Sequence, residues 1–358
     1  MKLKKIIIIA KKGRIPDYFL FPIKKNKSKL LDKDYDVKIK YNHQTKNLNC
    51  DILCLMSIYF TKWWHTPEKV IQFIEEAKKY CNKIIWLDDT DSTGVTHFEL
   101  LPYIDLYLKK QLLKDKTLYT KTLYSDRLFT EYYNKEFGII DENSYQSQKL
   151  DLSQSHKVHL SWHIGLGDMV GDILPKSIRF IRSRIVPTYP EALHSVLKKK
   201  KYDFMFKGTR KYPRNTVSFH REEIGRLLDS MTQFNAVLSG RVSIREYKHQ
   251  MRESKIVISP FGWGELGVRD FEAWIYGAAL MKPDMSHMET WPNIFIPFET
   301  YYPINWNFDN MEIGIQQMID DDEYRIKLTK KGQKAYLETI SEKGMENFCN
   351  WFIQQVEI

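Results

Sequence analysis

Three glycines and three charged side chains crowd one short stretch of the chain. Gly262-x-Gly264-x-x-Gly267 carries Glu265 within it and is followed at once by Arg269 and Glu272. An apolar run ending near Ser259 precedes it and an amphipathic run follows, so the spacing predicts a strand, a tight turn and a helix. Such a turn offers backbone N–H groups and the positive end of a helix dipole to an anion such as a phosphate. Two chemistries compete for it. The glycine spacing satisfies the dinucleotide fingerprint, and Asp284 ends the next predicted strand where a ribose-binding acid would sit. On that reading the chain is an NAD(P)-dependent oxidoreductase. The charged residues favour the second: an Arg pairs with phosphate, and a Glu about two turns into the helix accepts both hydroxyls of a ribose or sugar. A turn that needs glycine for backbone reasons alone is the plain structural alternative.

Taken with their surroundings, these residues resemble a known signature. Tyr247, Met251, Ser254, Pro260, Gly262, Arg269, Glu272, Ala273 and Gly277 look like the donor-binding pattern of GT-B glycosyltransferases of the exostosin-like and group 1 families. The resemblance covers residues 202–310 in motif and the N-terminal half in architecture only. It implies an α/β, GT-B fold of two Rossmann-like, doubly wound domains facing across a cleft. It also implies a transferase that moves a hexosyl or related group from a nucleotide-sugar donor, held mainly by the C-terminal domain, to a glycan or lipid-linked glycan. Ser259, Gly262, Gly264, Glu265, Arg269 and Glu272 are the donor-binding residues it points to. Retaining group 1 enzymes often place their two glutamates one residue further apart than Glu265 and Glu272, so an inverting, exostosin-like reaction fits better. A non-catalytic carbohydrate-binding protein is the remaining alternative.

Without a metal, the departing nucleotide diphosphate must be neutralised by cations and helix N-termini. A predicted strand end, Phe204 to Arg210, carries Lys207, Gly208 and Arg210, with Arg214 and Arg221 beyond. Lys207, Gly208 and Arg210 are expected at the diphosphate; surface charge beside a basic turn is the alternative. The aromatic, polar stretch from Asp284 to Trp306 offers His287, Glu289 and Trp291 to base, ribose or sugar, or else forms a packed Trp-Pro loop. An inverting transfer also needs a carboxylate or His to deprotonate the acceptor hydroxyl. Two strand-end clusters compete for this role, Asp88-Asp89-Thr90-Asp91-Ser92 with His97 nearby, and His163 to Asp168. Adjacent acids repel, which raises the pKa of one of them. The candidate bases are Asp89, Asp91, Asp168 and His163, although Asp88 to Asp91 reads equally as a capping turn. No Asp-x-Asp has the apolar flanks of a metal-dependent transferase site, so neither a metal nor a cofactor is expected.

Parallel sheets would bring such strand ends together. Apolar runs at 6–10, 37–41, 52–57, 84–87, 104–108 and 158–162 read as strands of a first half. Thr66-Pro67-Glu68 opens a helix between two of them, with Thr as cap and Pro in the first turn. A second alternation covers strands at 202–206, 256–259 and 279–282, with helices at 221–231 and 268–276. Residues 110–155 read as a helix with an irregular excursion, and the chain is helical from Met311 onward. Prolines near 186–192 mark a linker. The expected division is an acceptor-binding domain at 1–186, a nucleotide-sugar domain at 187–335, and a C-terminal helix at 336–358 that packs back on the first domain.

Composition narrows the setting. The 358 residues are 43% hydrophobic, which suits a globular chain. No run of 18 apolar residues exists, so no membrane span is expected. Four cysteines without metal-type spacing suit a reducing cytoplasm. The net charge of +10 is concentrated in residues 1–50, which hold 14 Lys or Arg against 4 Asp or Glu. That excess is either a solvated lysine-rich face or a peripheral contact with the inner, anionic face of a membrane, as in surface-polysaccharide assembly. No aromatic-interleaved basic motif accompanies it, so nucleic acid is not an expected partner.

Overall fold

The computed structural model describes residues 3–42, 48–144, 146–167, 193–238 and 240–358. The expected domain boundary at 186/187 and the candidate base Asp168 lie outside them.

Two parallel sheets organise the chain. The first contains β1 (Lys4–Ile9), β2 (Tyr35–Lys40), β3 (Cys50–Met56), β4 (Cys81–Asp88) and β5 (Leu106–Lys109); β6 (Gln111–Leu113) leaves it and β7 (Val158–Leu160) returns. Its order is β2-β1-β3-β4-β5-β7. The second contains β8 (Tyr202–Met205), β9 (Ala236–Val237), β10 (Ser254–Ile258) and β11 (Ala279–Pro283); β12 (Met288–Thr290) departs before β13 (Tyr302–Ile304) closes the edge. Its order is β13-β11-β10-β8-β9. The near-continuous apolar strands reflect burial on both faces, as in sheets covered by helices on each side. In β1 the side chains alternate between two cores, Ile6 and Ile8 in one, Ile7 and Ile9 in the other.

In both sheets the first strand in sequence lies between the second and the third. Each sheet therefore has a topological switch point, between β1 and β3 and between β8 and β10, and ligands of such sheets bind beyond the strand ends there. Two Rossmann-like sheets facing one another across a cleft are the GT-B arrangement expected from the sequence.

The domains are also stitched together. β6 and β12 pair antiparallel across the seam, with Leu112 opposite Glu289. The C-terminal helix Glu342–Glu357 lies against the first domain: Trp351 Nε1 donates to Ser161 O at 3.0 Å, Phe348 meets Trp162 edge-on, and Glu357 pairs with Lys4. Helix Arg14–Lys25, not expected from the sequence, follows β1; Pro16 sits in its first turn, where the missing N–H does no harm, and Tyr18, Phe19, Leu20 and Ile23 are buried. Among the described residues no helix is long and apolar enough to cross a membrane.

Candidate active site between the two switch points

A cavity of about 590 Å³ opens where the two switch points face each other. From the second domain come Gly208 and Thr209 after β8, Ser259, Pro260 and Gly262 to Gly264 after β10, and Arg269 and Glu272 of helix Val268–Ile275. From the first come Arg14 after β1, Asp91 after β4 and Ile164 after β7.

Four cationic side chains line the cavity, Arg14, Lys248, Arg221 and Arg269, and the last two converge on Gly208. A Cβ placed on Gly208 would lie 2.7 Å from Arg221 Nη2 and 3.1 Å from Arg269 Nη2. Gly208 also has φ +154°, which side-chain-bearing residues rarely adopt. Arg221 is anchored, its Nε donating to Thr209 O at 2.5 Å and Nη1 to Phe261 O at 2.7 Å. Burial, with Arg269 nearby, pulls its pKa down to about 10. Two such guanidinium groups side by side favour an anion between them. Glu272 shares the cavity: the Tyr247 hydroxyl donates to its Oε2 at 3.0 Å, and Arg269 Nε reaches the same hydroxyl at 3.4 Å. Burial raises the Glu272 carboxyl despite the Tyr247 hydrogen bond and the Arg269 charge.

The glycine turn differs from the sequence expectation in where its N–H groups go. Gly262 N–H donates to Gly264 O at 3.0 Å and Gly267 N–H to Asp270 Oδ2 at 2.8 Å, so neither is bare. Asp270 also accepts from the Ser259 hydroxyl at 2.5 Å and faces Lys282 at 3.0 Å, which fixes the helix start. Gly264 faces the other domain: a Cβ on it would stand 1.5 Å from the Asp91 carbonyl oxygen. Its glycine serves backbone-to-backbone contact between domains.

Several expected donor residues sit elsewhere. Glu265 is buried and holds the domains together, accepting from the Thr93 hydroxyl at 2.7 Å, Thr93 N–H at 3.1 Å and Gln111 Nε2 at 2.9 Å. Burial opposes its ionisation, yet the His287 ring, 3.8 Å away, and the two Thr93 donors hold its carboxyl down at about 2. Arg210 turns outward to a bidentate pair with Asp229, at 2.5 and 2.8 Å. Lys207 is buried below the strand end, its Nζ donating to Gly240 O at 3.2 Å. His287 packs on Trp306, and Glu289 is exposed on β12. None of these five lines the cavity.

Of the candidate bases, Asp91 alone among the described residues lines the cavity; its carboxylate is half exposed, 3.4 Å from Lys110 Nζ. Asp89 is buried, its Oδ1 accepting from Ser57 Oγ at 2.8 Å and Ile58 N–H at 3.0 Å; burial pushes its pKa up to about 6. Its neighbour Asp88 is ion-paired to buried Lys109 at 2.8 Å. Both ring nitrogens of His163 are engaged, and the residue does not line the cavity. Nδ1 accepts from Gly165 N–H and Nε2 donates to Pro292 O, both at 3.0 Å, and burial lowers its pKa to about 4. Arg14, Tyr212 and Arg221 complete the cavity wall. Arg221 stands in the sequence among the cations after Gly208, but nothing in its spacing distinguishes it from Arg210.

No family model matches the chain, and neither does any curated protein. Among solved structures it is similar to an alpha-glucosyltransferase in complex with UDP and a 13-mer DNA containing a HMU base, at 12% identity over 99% of this chain and 100% of that chain, with a TM-score of 0.45. It is also similar to Anabaena Alr3699/HepE in complex with UDP, at 10% identity over 99% of each chain and a TM-score of 0.47. A glycosyltransferase from Rickettsia africae ESF-5 gives 12% identity over 100% of this chain and 98% of that chain, with a TM-score of 0.45.

Proposed function

We propose that the chain is a glycosyltransferase (EC 2.4) that moves a sugar from a nucleotide-sugar donor to an acceptor hydroxyl. One observation carries this reading: Arg221 and Arg269 meet at Gly208, in the same cavity as the Glu272 carboxylate, at the second sheet's switch point. Two guanidinium groups suit a diphosphate and a buried acid suits ribose hydroxyls. As the glycosidic bond to the donor breaks, negative charge grows on the diphosphate, and pre-positioned cations stabilise it. Asp91, from the facing domain, is the group we assign to accept the acceptor proton, in an inverting reaction that uses no metal. The oxidoreductase reading is disfavoured by Gly264, whose side-chain position faces the Asp91 backbone rather than an approaching pyrophosphate.

Thermal-shift titration with UDP, GDP, CMP, NAD and NADP tests the reading. Stabilisation by a nucleoside phosphate is the expected result, and stabilisation by NAD or NADP alone overturns it. Release of nucleotide from a panel of nucleotide-sugars, with glycan, lipid-linked glycan and nucleic-acid acceptors compared, separates an enzyme from a carbohydrate-binding protein. We expect a glycan acceptor.

The finer setting, polysaccharide assembly at the inner face of a membrane, rests on the lysine excess of residues 1–50. Lys4, Lys29 and Lys33 pair with Glu357, Glu342 and Glu346 of the C-terminal helix, which reduces the charge on offer. Cosedimentation with anionic vesicles at low salt, lost at high salt, is the expected behaviour. No sedimentation at low salt removes this part of the proposal.

A further inference from the structure

A second concavity, of about 510 Å³, shares no lining residue with the first. It lies where the loop after β12 meets the C-terminal helix. Trp291 and Trp351 stack within it at 4.9 Å and 4° between planes. Trp351 is fixed by its hydrogen bond to Ser161 O, and the Trp291 loop by two bonds to His163, one accepted by Trp291 O and one by Pro292 O, each at 3.0 Å. The indole pair is thus a fixed apolar wall of the groove, partly exposed.

Carboxamides ring this wall. Asn293, Asn347, Asn350 and Gln354 line the groove, are exposed, and make no side-chain hydrogen bond among the described residues. Asn347, Asn350 and Gln354 follow helical spacing on Glu342–Glu357, so they lie along one face beside Trp351. Each carboxamide offers donors and an acceptor at once. Among the described residues Glu338 is the only charged one lining the groove, and Lys334 stands 3.8 Å from it. A ligand recognised here needs an apolar face to lie on indole, hydroxyls on its rim to pair with amides, and no net charge. Those are the properties of a neutral hexopyranose chain, whose rings carry axial C–H groups on a face and hydroxyls at the edge.

We propose that this groove is a binding site for a neutral glycan, separate from the interdomain cavity. It goes beyond the transferase reading and does not depend on it: glycan would bind here whether or not the cavity transfers a sugar.

The test titrates the intact protein with neutral hexasaccharides of glucose, galactose, mannose and N-acetylglucosamine, following tryptophan fluorescence and saturation-transfer NMR. The double variant Asn350→Ala/Gln354→Ala removes only exposed side chains that hold nothing else, so its fold is retained. Arg269→Ala serves as the cavity control. Expected is saturable binding of at least one hexasaccharide, weakened about tenfold in the double variant by the loss of two ligand hydrogen bonds. Arg269→Ala should leave that affinity unchanged. Absence of saturable binding overturns the proposal, as does an affinity indifferent to the double variant. Binding confined to sulfated or uronic-acid oligosaccharides overturns the neutral class.

Discussion

Gly264 and Asp91 sit on different domains, and the carbonyl oxygen of Asp91 occupies the place a Gly264 side chain would take, 1.5 Å from it. The seam thus tolerates no Cβ at this point. Gly264→Ala is expected to cost about 1–3 kcal/mol, typical of overpacking, because the three obstructing atoms, Asp91 O, Asp91 C and Ser92 N, are all backbone. The cavity should suffer too, since Asp91 forms part of its wall. Gly262→Ala, whose nearest neighbour is the movable Tyr212 hydroxyl at 3.3 Å, is the comparison and should cost less than about 1 kcal/mol. Urea unfolding of both variants checks this. Equal tolerance of the two would show that Gly264 does not set the domain approach.

Glu265 forms the second tie across the same seam. Its carboxylate is the shared acceptor for Thr93 and Gln111, so Glu265→Ala leaves buried donors without a partner. The expected loss is about 3 kcal/mol or more. The sign of the pH effect follows from its low pKa. An acid held at about 2, below its ordinary 4.5, contributes stability that is present above 4.5 and lost as pH falls toward 2. Wild type should therefore lose its advantage over Glu265→Gln on acidification. A stability gap that stays constant across that range would argue against an ionised Glu265.

Much of this scaffold is legible in the sequence, and the reasons are local. β1, β3, β4, β10 and β11 are apolar runs long enough to show burial on both faces, and Gly267 with Asp270 marks a helix start through short-range hydrogen bonds. What is illegible depends on distant partners. β6 and β12 are three residues each and exist because they pair with one another across the domains. Arg210 and Arg221 read alike in sequence; Asp229 draws the first outward, while the carbonyls of Thr209 and Phe261 hold the second at the cavity. Glu265 and Glu272 likewise read as a pair of ligand-binding acids. Thr93 and Gln111, far upstream, engage one of them and leave the other in the cavity.

Arg269 and Glu272 should separate by substitution if one faces phosphate and the other ribose. Arg269→Ala is expected to weaken UDP or whichever nucleoside diphosphate binds by about tenfold to a hundredfold, the range for a charged hydrogen bond, and the corresponding nucleoside much less. Glu272→Ala should weaken nucleoside and nucleotide alike. Calorimetric titration of both ligands against both variants checks the pattern. A Glu272→Ala protein that binds the nucleoside with undiminished affinity would rule out the ribose contact.

Asp91 and Asp89 offer a sharper contrast, because the two acids lie two residues apart yet in opposite surroundings. Asp91→Asn should lower kcat by about a hundredfold to ten-thousandfold, as expected for a lost general base, with nucleotide affinity retained. Asp89→Asn should alter stability rather than turnover. Burial raises the Asp89 pKa from its ordinary 3.8 to about 6, despite the Ser57 and Ile58 hydrogen bonds. A raised acid binds its proton more tightly when folded, so its contribution is fully present below 3.8 and is lost as pH rises toward 6. About two pKa units correspond to about 3 kcal/mol. Asn does not titrate, so Asp89→Asn should gain on wild type by roughly that amount across the window. Denaturant melts at several pH values, set beside turnover at each, check both halves. Turnover lost in Asp89→Asn but kept in Asp91→Asn would exchange the two assignments.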